Sequence, residues 1–153
     1  MWFEKLGGAG VSFREVMEGS VQREGERFDR PFRFELLVEA PRVTGFVGTA
    51  HCRITGRVRL DGVTRDAAAT GTLDVSLFLA RTLRYELGWQ DEKGRAGSFL
   101  GEKTLTPLHL VRSLTTLPGS VTVAGLVYGT ALLHFSLGRH LAPMLRSVRL
   151  AHG

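Results

Sequence analysis

The stretch GRAGSFLGEKT, residues 94–104, holds the glycines, lysine and threonine from which phosphate-binding loops are made. Such a loop reads G-x-x-x-x-G-K-[S/T], with the lysine directly after the second glycine so that its ammonium reaches the phosphates. Here Glu102 stands between Gly101 and Lys103, and Gly97 is one residue too close to Gly101. A carboxylate at that place would also repel phosphate. KLGGAG, residues 5–10, does not match G-x-G-x-x-G and follows no strand pattern, so no dinucleotide fold is indicated. No cofactor is expected.

Other reactive side chains are dispersed. His51, His109, His134, His140 and His152 show neither H-E-x-x-H nor H-x-H spacing, and Cys52 has no second cysteine to help it, so no metal site is predicted. Cys52 reads as a small buried side chain, because no spacing supplies a base to activate it. Ser20, Ser98 and Ser120 lie in no G-x-S-x-G elbow. Among carboxylates, Glu15 and Asp74 are the candidates for acid–base work. Glu15 shares its alternation phase with Phe13 and Met17, which points it inward as a possible buried polar group; a register shift of one residue would turn it out. No motif identifies an enzyme, and no catalytic residue is assigned.

The elements that must position these residues alternate with period two. In PFRFELLVEA (31–40), Phe32, Phe34, Leu36 and Val38 alternate with Arg33, Glu35, Leu37 and Glu39, a half-buried strand. HCRITGRVRL (51–60) repeats this with Cys52, Ile54, Gly56, Val58 and Leu60, and Asp61-Gly62 supplies a tight turn. TGTLDVSLF (70–78) and TLRYELGWQ (82–90) follow, with Leu83, Tyr85, Leu87 and Trp89 on one face. Residues 91–95 read as a hairpin turn and 98–105 as its return strand. Residues 108–117 and 121–135 are two further strands, divided at Pro118-Gly119. VSFREVMEGSV (11–21) alternates more weakly. The pattern predicts one all-β domain over 1–153, an antiparallel β-barrel or barrel-like sandwich of about 8–9 strands. Leu137, Leu141, Met144, Leu145 and Val148 fall at helical spacing and predict a C-terminal helix over about 137–149, with Pro143 as its defect.

Charge is uneven. The chain carries 20 Lys and Arg against 15 Asp and Glu, a net +5. After Glu102 there is no acid, while Lys103, Arg112, Arg139, Arg146 and Arg149 remain, so the excess sits in the last third. That asymmetry suits a solvated basic surface or an acidic protein partner. Nucleic acid is disfavoured, because the aromatics are not interleaved with Lys and Arg as on a stacking platform. The first residues lack a secretory pattern, and the uncharged run 121–137 is short and interrupted for a bilayer span. With its lone cysteine, the chain is expected to be cytoplasmic and without a transmembrane segment.

Taken in order, FREVMEG (13–19), PFRFELLVE (31–39), HCRITGRV (51–58), GTLDVSLF (71–78), LRYELGWQDEKGRAGSFLGEKTL (83–105), SLTTL (113–117) and AGLVYGTALLHFSL (124–137) carry a resemblance. The chain resembles the non-catalytic β-rich domain that accompanies the flavin module in some bacterial glucose-methanol-choline, cholesterol-oxidase-like oxidoreductases. The likeness runs over roughly 11–148, anchored by Phe13, Glu15, Met17 and Gly19, then Tyr85, Leu87, Gly94, Leu100, Gly101 and Lys103. No activity is established for that domain, so the resemblance transfers no catalytic residue, and the flavin module itself is not in this chain. It implies that the G-x-K segment 101–103 is structural.

A barrel of this strand number can enclose one small ligand. Phe32, Phe34, Phe46, Tyr85, Trp89 and Phe99 are the candidate lining, and they equally suit a filled core. An apolar lining with few polar groups would suit a hydrophobic small molecule, lipid or steroid-like. The second expectation is an accessory protein docking an acidic partner, such as an oxidoreductase, through the basic last third.

Overall fold

The computed structural model describes residues 4–6, 10–41, 49–76, 82–104 and 115–135. Nine strands follow one another: β1 Glu4–Leu6, β2 Gly10–Gln22, β3 Arg30–Pro41, β4 Thr49–Leu60, β5 Thr64–Ser76, β6 Thr82–Gln90, β7 Ala96–Thr104, β8 Thr116–Val123 and β9 Leu126–His134. Each pairs antiparallel with the next, and β2 also pairs with β9, Gly19 opposite Leu133 and Val21 opposite Ala131. That last ladder closes β2 to β9 into an eight-stranded barrel, while β1 lies against the start of β2. Of the two architectures the alternation allowed, the closed barrel is the one formed. Closure removes the free edges that an open meander would expose.

Alternation decides which side of each strand is inside. Phe32, Phe34, Leu36 and Val38 of β3, Cys52, Ile54, Val58 and Leu60 of β4, and Leu83, Tyr85, Leu87 and Trp89 of β6 are all buried in one core. The outward positions carry charge, with Arg33 bridging Glu18 and Glu35, Arg57 meeting Asp66 at 2.7 Å, and Arg84 facing Glu86 and Glu102. An apolar inside and a charged outside reverse the arrangement of a bilayer-spanning barrel. Among the described residues no helix is long and apolar enough to cross a membrane.

One hairpin differs from the sequence expectation. Pro118-Gly119 does not divide two strands; both lie within β8, and the turn comes at Ala124-Gly125 instead, splitting the expected strand 121–135. Ala124 and Gly125 both take positive φ, 53° and 79°, the backbone that a two-residue hairpin requires. Pro118 is tolerated because the β7–β8 ladder has its last pair at Gly101 and Gly119, one residue short of it. The Asp61-Gly62 turn stands as expected, with Gly62 at φ 80°. The expected helix over 137–149 lies outside the described residues.

Candidate functional site

Turns 23–29, 61–63, 91–95 and 124–125 cluster at one end of the barrel, and the opposite strand ends run into segments outside the described residues. The turn end is tied by two carboxylates. Asp91 accepts from the Lys93 and Arg95 amides, each at 2.9 Å, and from Arg95 Nε at 2.8 Å. Burial tends to raise the Asp91 pKa, but these bonds outweigh it and hold the carboxyl below its ordinary value. Glu92 Oε1 accepts from Thr64 Oγ1 at 3.0 Å and the Arg65 amide at 2.9 Å, joining two neighbouring turns. Its own amide and that of Arg65 do most to bring its pKa down to about 2.

Inside the turn end, four of the six candidate lining residues meet. Phe32 lies 4.7 Å from Phe34 and 5.8 Å from Phe99 between ring centroids, and Trp89 lies 6.1 Å from Phe32 and 6.0 Å from Phe34. Their tilted and edge-on geometry is that of packed aromatic rings. The Trp89 ring rests on Gly97 where any Cβ would overlap it, and Phe99 and Leu117 fill the space beside Gly101. Gly97 and Gly101 therefore serve core packing, and Lys103 reaches from β7 to Thr116, with Nζ donating to its carbonyl at 3.1 Å and its Oγ1 at 3.0 Å. The glycine–lysine stretch is a packed strand. It is not a phosphate loop.

Tyr85 stands apart, toward the other end. It is fully buried, three residues inside the start of β6, with its ring 6.2 Å from Phe135. Its hydroxyl has no hydrogen-bond partner, and neither has Trp89 Nε1. Burial above all, then the charges of Glu15 and Cys52, push the Tyr85 pKa well above its ordinary value. Glu15 is buried on the inward phase of β2, 3% exposed, opposite Leu36 of β3. β2 and β6 face each other across the ring of eight, so Glu15 and Tyr85 enter the lumen from opposite walls. Cys52 completes this half; burial first and Asp74 second push its thiol up to about 12, which leaves it no nucleophile at neutral pH.

Of the sequence candidates, then, Phe32, Phe34, Trp89 and Phe99 form one cluster, Tyr85 belongs to a second region with Glu15, and Phe46 lies outside the described residues. Phe13, Cys52 and Phe135 were not singled out as lining; their apolar phase was visible, but strand alternation cannot say which inward residues face one another across a lumen. Asp74 lies on the outer wall, bonded to His51 Nδ1, and among the described residues no three His, Cys, Asp or Glu side chains converge for a metal. Of the five basic residues after Glu102, Lys103 alone falls within the described residues.

On the outer surface of the described residues a basic cleft of about 360 Å³ lies between Arg23, Arg30, Arg95, Val63, Leu126 and Tyr128. Each guanidinium already has a carboxylate: Glu26 takes Arg23 at 3.2 Å and Arg30 at 3.0 Å, and Asp91 takes Arg95. Arg23 also lies 4.2 Å over the Tyr128 ring, whose hydroxyl in the cleft wall lacks a partner. An incoming anion would have to displace those acids, so the lumen around Tyr85 is the stronger candidate. Fold and site together define a closed eight-stranded antiparallel meander barrel whose interior, among the described residues, is apolar apart from a few buried polar groups. Compared with known proteins, the chain matches no family model, no curated protein and no solved structure.

Proposed function

We propose that the protein is a binding module for a hydrophobic small molecule, lipid or steroid-like, seated in the half of the barrel around Tyr85. The observation that carries this reading is the Tyr85 hydroxyl, wholly buried in an apolar lumen with no protein partner. Leaving such a donor unpaired costs about 1–3 kcal/mol, against a total stability of about 5–15 kcal/mol for an ordinary domain. Phenylalanine would fill the same space without that cost. A bound molecule that accepts from the hydroxyl removes it. The closed turn end, filled by its four rings, then acts as the floor of the site.

Native mass spectrometry of the purified protein, set against its denatured mass and an organic extract, tests the reading. An added mass released on denaturation, with an apolar compound in the extract, is the expected result. Identical masses together with no uptake of added lipids would sink it.

A second reading, an accessory protein that docks an acidic partner through its basic last third, is favoured by Leu126 and Val127. They are 74% and 85% exposed at a hairpin tip within that last third. Under this reading, association at low salt should be lost in a Leu126→Ser, Val127→Ser double variant that keeps its fold; association unchanged in that variant counts against it.

A further inference from the structure

We infer that the molecule seated in the Tyr85 half is a lipid carboxylate, its head held between Lys103 Nζ and Tyr85 Oη. This rests on the binding reading above and names the chemistry of that same site. Tyr85 stands directly opposite Gly101 in the β6–β7 ladder. Lys103 lies two residues further along the same inward phase of β7, roughly 7 Å of strand away. Phe135 ties the two together from the end of β9. Its ring lies 6.2 Å from that of Tyr85, and its amide donates at 2.9 Å to the carbonyl of Thr115, next to the threonine that Lys103 reaches.

Lys103 is a half-buried cation with neutral partners. An ammonium has three N–H groups; here one donates to the Thr116 carbonyl and one to its Oγ1, which leaves a third to donate. Glu102 beside it points to the outer wall and faces Arg84, and no carboxylate among the described residues pairs with Lys103. The segments that join the strands at this end, 42–48, 77–81 and 105–114, hold Arg42, Arg81 and Arg112 and no Asp or Glu. A charge withdrawn from water is costly without a counter-charge, and a carboxylate supplies it. Its two oxygens match the two donors: one accepts from the lysine in a charge-assisted bond, the other from the phenol. Glu15 enters from the opposite wall, so the head belongs on the Lys103 side of Tyr85. An alcohol would satisfy Tyr85 and leave the ammonium uncompensated, and a cationic head would meet it as a like charge.

The test is titration of dodecanoate, dodecan-1-ol and dodecyltrimethylammonium into the full chain at mildly alkaline pH, in the wild type, Lys103→Met and Tyr85→Phe. Wild-type protein should bind dodecanoate about tenfold or more tighter than dodecanol, the equivalent of one hydrogen bond to a charged group, and the ammonium weakest. Lys103→Met should remove most of the preference for dodecanoate and leave dodecanol binding unchanged. Tyr85→Phe should weaken dodecanoate and dodecanol alike, by roughly two- to tenfold. Dodecanoate bound no tighter than dodecanol or the ammonium, or a dodecanoate preference unchanged in Lys103→Met, overturns the inference while leaving the carrier reading standing. Failure of all three probes to bind overturns both. Thermal melts check that the variants fold, and should one not, the wild-type ranking of the three heads decides.

Discussion

Cys52 and Phe99 show how one side chain's surroundings set its behaviour. With its thiol pushed up to about 12 and its side chain 2% exposed, Cys52 should resist iodoacetamide in the native protein at pH 8 and react fully in urea. Rapid native alkylation would mean that the Tyr85 half opens to solvent. Phe99 packs against Phe32 and Phe34 and covers the bare backbone of Gly119. Phe99→Ala leaves a cavity that no neighbouring strand can close, so urea unfolding should show a loss of about 3–5 kcal/mol. A loss under 1 kcal/mol would argue that the turn end is loosely filled.

At the scale of the element, the β6–β7 turn gives acid sensitivity. Glu92 has its folded pKa lowered to about 2 and Asp91 has its own lowered as well. For a lowered carboxyl, the stabilisation is complete above the unfolded value, here about 4.5, because both states are then ionised. It declines as pH falls and only the unfolded chain takes up the proton, and it is gone once the folded group titrates near 2. Urea midpoints should therefore drop between pH 4.5 and 2, and Glu92→Gln should flatten that drop because its amide oxygen still accepts while the charge is gone. An unchanged acid limb in Glu92→Gln would place the sensitivity in other carboxylates.

For the whole molecule, the barrel depends on its β2–β9 seam, which joins residues as far apart in sequence as Glu18 and His134. Gly19 lies on that seam where a Cβ would overlap the Leu132 carbonyl oxygen. Gly19→Val should push β9 away from β2, costing about 1–3 kcal/mol as an overpacked contact. Hydrogen exchange should quicken at Val21 and Ala131, on either side of the seam, before it does so in the β4–β5 ladder. Uniform exchange through the barrel would show instead that closure and the other ladders open as one unit.

Alternation by itself determined the strands, because a face that must be buried repeats every second residue: β6 spans Thr82–Gln90 as its pattern indicates, and β3 and β4 bury the faces read from it. Glu15 pointed inward on the same evidence. The last hairpin was not legible, since Pro118-Gly119 is a stronger local turn signal than Ala124-Gly125. Only the ladder to β9, where Pro118 stands opposite Leu132, places the proline inside a strand. The site was legible in its residue types and not in its grouping. Phe32, Phe34, Trp89 and Phe99 look like Tyr85 along the chain, yet four of them pack together and Tyr85 is left facing Glu15 from the opposite wall. Periodicity is a property of one strand and its neighbours, whereas a lumen is made by closure. Which side chains meet across it depends on how eight strands are staggered around the ring, and that is decided only when β9 finds β2.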